Sequence, residues 1–216
     1  MPVSAMLELL FKGFRISIEI FCLTLIISLP LGLLVSFGAS SSAAVIRLPI
    51  KAYISVMRGT PLMLQLMVVY FGPYYLFGLT LFSSYRFIAA IIGFVVNYAA
   101  YFAEIYRGGM QSVPIGQYEA ARALGYTRSQ TYTRIVLPQM IKTVLPSLTN
   151  EVITLVKDTS LASVLAVSEM FSSARKIASA QTTMLPFAFA GLFYYIFSFI
   201  AEKIMKYIER SFEYYN

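Results

Sequence analysis

Hydrophobic residues in this chain come in runs about as long as a bilayer is thick, and they come five times. Apolar stretches cover residues 14–38, 50–81, 87–106, 137–156 and 185–204, with polar or basic segments between them. A helix needs roughly 20 apolar residues to cross hydrocarbon, and only a helix or a closed barrel satisfies its own backbone there. The second run is interrupted near Gly72 and Pro73, which predicts that its crossing part ends at that point. A 58 % hydrophobic share with only 12 % charged residues leaves too few solvating groups for a soluble surface. The expectation is an all-α integral membrane protein with about five transmembrane helices. One transmembrane domain takes up residues 1–216, with no room for a separate soluble domain. The first run exceeds the apolar core of a cleavable signal peptide and reads as a retained span.

What the chain lacks narrows its chemistry. It has no histidine, so the commonest general base and metal ligand is missing. A single cysteine, Cys22, can build neither an intrachain disulfide nor a multi-cysteine metal site. A glycine-rich loop followed by Lys and Ser or Thr, which would cradle phosphates, does not occur. Gly108 and Gly109 are followed by Met110 and read as a helix end. A net charge of +7 is scattered between the apolar runs, which argues against nucleic acid and for topology. With the amino terminus outside, inner segments hold ten Lys and Arg residues against six in outer segments, Lys142 being left out inside the fourth run. Basic residues favour inner loops, so the carboxyl terminus and the loop between the third and fourth spans are expected to be cytoplasmic.

That loop, residues 112–138, reads SVPIGQYEAARALGYTRSQTYTRIVLP. Pro114 suits a helix start and Gly125 the left-handed position that closes one. Thr127 and Gln130 have the spacing of a capping box for the next helix. Two helices joined by a sharp glycine bend are predicted, shaped to dock into a partner.

Glu119-Ala120-Ala121, then Gly125 after three residues and Ile135, Leu137 and Pro138 further on, match the EAA signature. On those residues the chain resembles the permease subunits of ABC importers, with their MetI-like fold. Three further stretches, RGTPLMLQL from residue 58, NYAAYFAEIYRGGMQSVPIGQYEAARALG from residue 97 and LPSLTNEVITLVKDTSLAS from residue 145, are similar to the polar amino-acid permeases. The resemblance implies that residues 112–130 form a coupling helix whose Glu119, Ala120, Ala121 and Gly125 engage a groove on an ATPase. It implies two ATP-binding-cassette ATPase subunits, a second permease copy, identical or paralogous, and an extracellular solute-binding protein, all at a bacterial or archaeal inner membrane. ATP and magnesium then belong to the partner ATPase, and this chain is neither an enzyme nor the holder of a cofactor or metal.

Ionisable and amide groups inside spans are functional candidates by default. Asn97, Tyr101 and Glu104 share one face of the third helix with Tyr98 beside them, Glu151 and Asp158 share a face of the fourth, and Gln65 and Thr24 reach similar depths. These residues either line a polar chamber that binds substrate or bond between helices; Glu104 could pair locally with Arg107, and Asp158 with Lys157 at the outer edge. Because Glu104, Glu151 and Asp158 outnumber the nearby basic groups, the expected substrate is a cationic amino acid such as arginine, lysine or histidine. A membrane enzyme would need a convergent nucleophile and base, and an ion-coupled transporter commonly shows repeated halves. The sequence supplies neither, and copurification with an ATPase would separate these readings.

Overall fold

The computed structural model describes residues 1–80, 82 and 84–212, and among them it contains helices and turns without a β-strand. The first helix, α1 (Val3–Ala39), spans 37 residues, about 55 Å at 1.5 Å per residue. It exceeds a hydrocarbon core of roughly 30 Å and must tilt or project. Then come α2 (Ala44–Gly59), α3 (Leu62–Phe77) and α4 (Tyr85–Ser112). The expected two-helix loop follows as α5 (Ile115–Ala123) and α6 (Arg128–Thr131). A π-helical turn, Tyr132–Val136, leads from α6 into α7 (Leu137–Asp158), after which a 3-10 segment, Thr159–Leu165, precedes α8 (Met170–Gln181) and α9 (Leu185–Ser211).

On length and apolarity α1, α4 and α9 can each cross a bilayer, and α2 with α3 makes a fourth span if the bent pair counts as one. The 22 residues of α7 reach about 33 Å. This helix carries Glu151 and Asp158, and α4 and α9 pack along it, taking the place of lipid.

The second apolar run is broken, but not where its Gly72-Pro73 pair predicts. Pro73 lies inside α3. A proline cannot donate to the carbonyl four residues back, which here is Val69, and the Tyr85 hydroxyl donates to that carbonyl instead, at 3.1 Å. The break comes at Thr60, held extended at φ −123° and ψ 150° because Pro61 disfavours helical geometry in its predecessor. As a result α2 and α3 meet at 114°. Carbonyls orphaned at the end of α2 are collected by Gln65, whose Nε2 donates to Met57 O at 2.9 Å and Thr60 O at 3.0 Å. Residue 81, where the apolar run ends, lies outside the described residues.

The most extensive contact joins α1 and α4. At Gly32 a Cβ would stand 2.7 Å from the Phe102 Cβ and 3.0 Å from the Ala99 carbonyl, so only a hydrogen permits this approach. Gly109, read from the sequence as a helix end, lies inside the last turns of α4. A Cβ there would collide with the Val144 side chain and stand 3.0 Å from that of Met140, so this glycine lets α7 pack against α4. Gly109 faces Met140 while Tyr98 faces Asp158, hence the two helices run antiparallel.

Residues 159–181 pack against α1, α3 and α9. Their anchor is the fully buried Glu169. It caps α8 by accepting from the Phe171 and Ser172 amides at 2.7 and 2.6 Å, and it accepts the Tyr194 hydroxyl of α9 at 3.0 Å. The neighbouring Met170 amide donates to Ser17 of α1 at 3.4 Å. Three elements are thus fastened at one buried knot.

Candidate functional site

Local chemistry dictates the shape of the α5 loop. Pro114 is extended and precedes the first residue of α5. Gly125 takes φ +78°, where its amide donates to Arg122 O at 3.0 Å and the next amide, of Tyr126, donates to Ala121 O at 3.0 Å. This is a glycine-closed helix end. Thr127 and Gln130 then form a complete capping box.

Of the four residues assigned to docking, Glu119 and Ala120 are exposed. Gly125 makes the bend. Ala121 is fully buried within the chain, where its small side chain packs inside this subunit. Two residues without a sequence assignment stand out beside them. Ile115 and Leu124, at the two ends of α5, are 76 % and 75 % exposed. These two side chains give a short polar loop helix an apolar point at each end. Both lay within the quoted signature stretch, and a helix of nine residues flanked by two large apolar side chains was the available signal. Burial, with Tyr132 adding to it, raises the Tyr118 phenol above its ordinary value, so it remains a neutral hydroxyl on this helix.

The intramembrane candidates separate into two groups and one isolated residue. Tyr98, Tyr101, Glu104, Glu151 and Asp158 come together. The buried Tyr98 hydroxyl donates to Asp158 Oδ2 at 2.7 Å, with the Tyr101 ring 6.3 Å away. The Arg58 guanidinium lies 5.6 Å over the Tyr101 ring and 3.8 Å from Glu104. Glu104 accepts from Arg107 Nε at 3.0 Å and also bonds its terminal nitrogen. Glu151 is within electrostatic reach of both Asp158 and Arg58, and it makes no hydrogen bond or ion pair with a described residue.

Asp158 therefore bonds Tyr98 and makes no ion pair with its neighbour Lys157. The antiparallel packing of α7 brings it to the middle of α4. Arg58 was counted in the sequence only as a topological charge. Its place at the end of α2, beside the Pro61 break, turns it toward Tyr101, and the RGTP start of its motif was the visible hint.

Gln65 and Asn97 belong elsewhere. Asn97 Nδ2 donates to Gln65 Oε1 at 2.9 Å and Met57 O at 3.2 Å, so the amide nitrogens of both residues are occupied in holding the α2–α3 break. Thr24 is fully buried in α1 and its hydroxyl has no partner among the described residues. Among those residues no group of His, Cys, Asp and Glu could hold a metal ion.

Comparison with known proteins fits this architecture. Residues 28–214 match the family described as binding-protein-dependent transport system inner membrane component. The arginine transport system permease protein ArtQ of Bacillus subtilis (strain 168) is 37 % identical over 201 residues, covering 93 % of this chain and 90 % of the relative. The octopine transport system permease protein OccM of Rhizobium radiobacter is 38 % identical over 200 residues, covering 85 % and 79 %. A crystal structure of an amino acid ABC transporter with histidines superposes with a TM-score of 0.88 at 31 % identity, covering 97 % of this chain and 96 % of that one. An inward-facing MetNI methionine ABC transporter, at 19 % identity and a TM-score of 0.78 with coverage of 98 % and 99 %, shares the fold. With the family matched over most of the chain, the protein belongs to the binding-protein-dependent transport system inner membrane components and is a permease subunit of an ABC amino-acid importer.

Proposed function

We propose that this permease carries cationic amino acids, with arginine, lysine and histidine as the candidates. The single observation that supports this reading is the charge left over in the Tyr98–Asp158 cluster. Glu104 is engaged by Arg107, which leaves two carboxylates beside the one guanidinium of Arg58: Glu151, within electrostatic reach of Arg58, and Asp158, on the Tyr98 hydroxyl. An amino acid with a cationic side chain brings one carboxylate and two cations, the mirror image of that set. A neutral amino acid would leave one carboxylate without a counter-charge, and an unpaired buried ion costs several kcal/mol even after relaxation. Relatives bear names for arginine, octopine, cystine and glutamine transport, so family membership alone leaves the side chain open.

In this reading α5 docks on an ATPase through Ile115, Glu119, Ala120 and Leu124, with Gly125 setting the angle. Two ATPase subunits, a second identical permease copy and an extracellular solute-binding protein complete the importer. ATP and magnesium act on the ATPase, and this chain contributes no cofactor site. The amino terminus lies outside and the carboxyl terminus in the cytoplasm.

The test is uptake into proteoliposomes holding the complete importer, with a panel of amino acids. Glu151→Gln should lower uptake of the cationic substrate at least about tenfold, the effect of losing one member of a desolvated charge pair, while glutamine uptake changes less. Normal cationic uptake by the variant, or a wild-type preference for glutamine or an acidic substrate, refutes the substrate assignment.

A further inference from the structure

Three arginines and one glutamate are the only charges in residues 112–138. Arg122, Arg128, Arg134 and Glu119 are all exposed, and none of the four makes an ion pair or hydrogen bond with a described residue. Arg122 and Arg128 share a cavity of about 470 Å³ between α5, the Gly125 bend and the start of the α6 stem, closed by the rings of Tyr118, Tyr126 and Tyr132. Tyr118 and Tyr132 meet edge to face at 6.5 Å, which gives the cavity a firm wall. A second cavity of about 480 Å³ on the other side of α5 also uses Tyr118 and Arg122, and it adds Ile115 and Glu119. The basic cavity is therefore continuous with the exposed face of α5.

We infer that Arg122 and Arg128 form a receptor for a carboxylate side chain presented by the ATPase, which locks the register of α5 in its groove. This rests on the reading of α5 as the docking helix. Two guanidiniums without a counter-ion among the described residues repel each other until an anion enters, and a guanidinium fork matches a carboxylate in a bidentate pair. Mixed sign supports a protein occupant. Glu119 stands beside the arginines on the shared rim, so a uniformly anionic lipid surface would oppose one side of this face while it attracts the other. A protein can place an acid opposite the arginines and a base opposite Glu119. Such a pattern selects partner and orientation more than raw affinity.

The test is association of the purified ATPase with the permease in nanodiscs of phosphatidylcholine alone and of phosphatidylcholine with phosphatidylglycerol. Arg122→Glu with Arg128→Glu should weaken association at least about tenfold in both lipids and flatten its dependence on salt. One Asp→Lys or Glu→Lys substitution on the ATPase groove should restore it. Unchanged association, a loss confined to the anionic discs, or a loss that no single acid-to-lysine change on the ATPase restores, overturns the inference. Leu124→Asp tests the underlying reading separately. If it abolishes association while the double arginine variant does not, α5 docks without the carboxylate lock; if neither variant has any effect, docking by α5 itself falls.

Discussion

Replacing Glu169 with alanine removes the buried acceptor that three donors share. Two are the Phe171 and Ser172 amides at the open end of α8, and the third is the Tyr194 hydroxyl. Losing a helix cap of this kind costs about 0.5–2 kcal/mol. The half-buried Tyr194 hydroxyl loses one bond, worth about 0.5–1.5 kcal/mol, and keeps Ser17 and Thr159 beside it. The sum is about 1–3.5 kcal/mol, which at roughly 2–4 °C per kcal/mol for a chain of this size lowers the unfolding midpoint by about 2–14 °C. The assay is the fraction of detergent-purified permease that stays monodisperse after heating. Glu169→Gln keeps one acceptor oxygen but turns an amide N–H₂ toward a donor, so it should fall between wild type and alanine. Tyr194→Phe should cost less, and combining it with Glu169→Ala should cost less than the sum, because both remove the same bond. A Glu169→Ala midpoint within about 2 °C of wild type, or full additivity with Tyr194→Phe, would refute the idea that this carboxylate fastens α8 to α9.

The α1–α4 crossing gives a second prediction. Gly32→Ala forces a Cβ against the Phe102 Cβ and the Ala99 carbonyl and should destabilise by about 1–3 kcal/mol, read in the same heating assay. Gly125→Val places a β-branched residue at φ +78°, a genuine outlier for that side chain. It should uncouple ATP hydrolysis from transport in the reconstituted importer while the permease still inserts, and normal coupled transport would count against the coupling role of the bend. Topology is open to labelling. With Cys22 changed to Ala, Ser129→Cys should be shielded from impermeant thiol reagents outside intact cells while Ser84→Cys reacts, and the opposite pattern would reverse the proposed orientation.

Much of the α5 loop was legible in the sequence because its determinants are local. Proline, glycine and the Thr127–Gln130 pair act within a few residues, and each does its expected work. The failures share another cause. Pro73 looked like a break because the hydroxyl that rescues it belongs to Tyr85, across a turn. Gly109 does lie in the last turn of α4, but its packing role stayed hidden because Val144, which needs its missing side chain, lies on another helix. Asp158 was assigned by its neighbour Lys157, whereas the antiparallel course of α7 gave it to Tyr98. Periodicity placed the polar residues on helix faces correctly but could not tell which faces meet, so Gln65 and Asn97 were grouped with a cluster they do not join.

Helix α7 is a rod about 33 Å long, with the α5 loop toward one end and Asp158 at the other. Between loop and rod sits the π-helical turn, Tyr132–Val136, a wound segment whose wider ring is uncommon and costs regular bonding. Any tilt of the rod about that turn is magnified at the far end. By arc length over the same rod, a rotation of roughly 5° carries Asp158 through about 3 Å, the whole length of its bond to Tyr98. A tilt of that size, small where Gly109 packs against Met140 near the turn, equals at the far end the length of the bond between Asp158 and Tyr98.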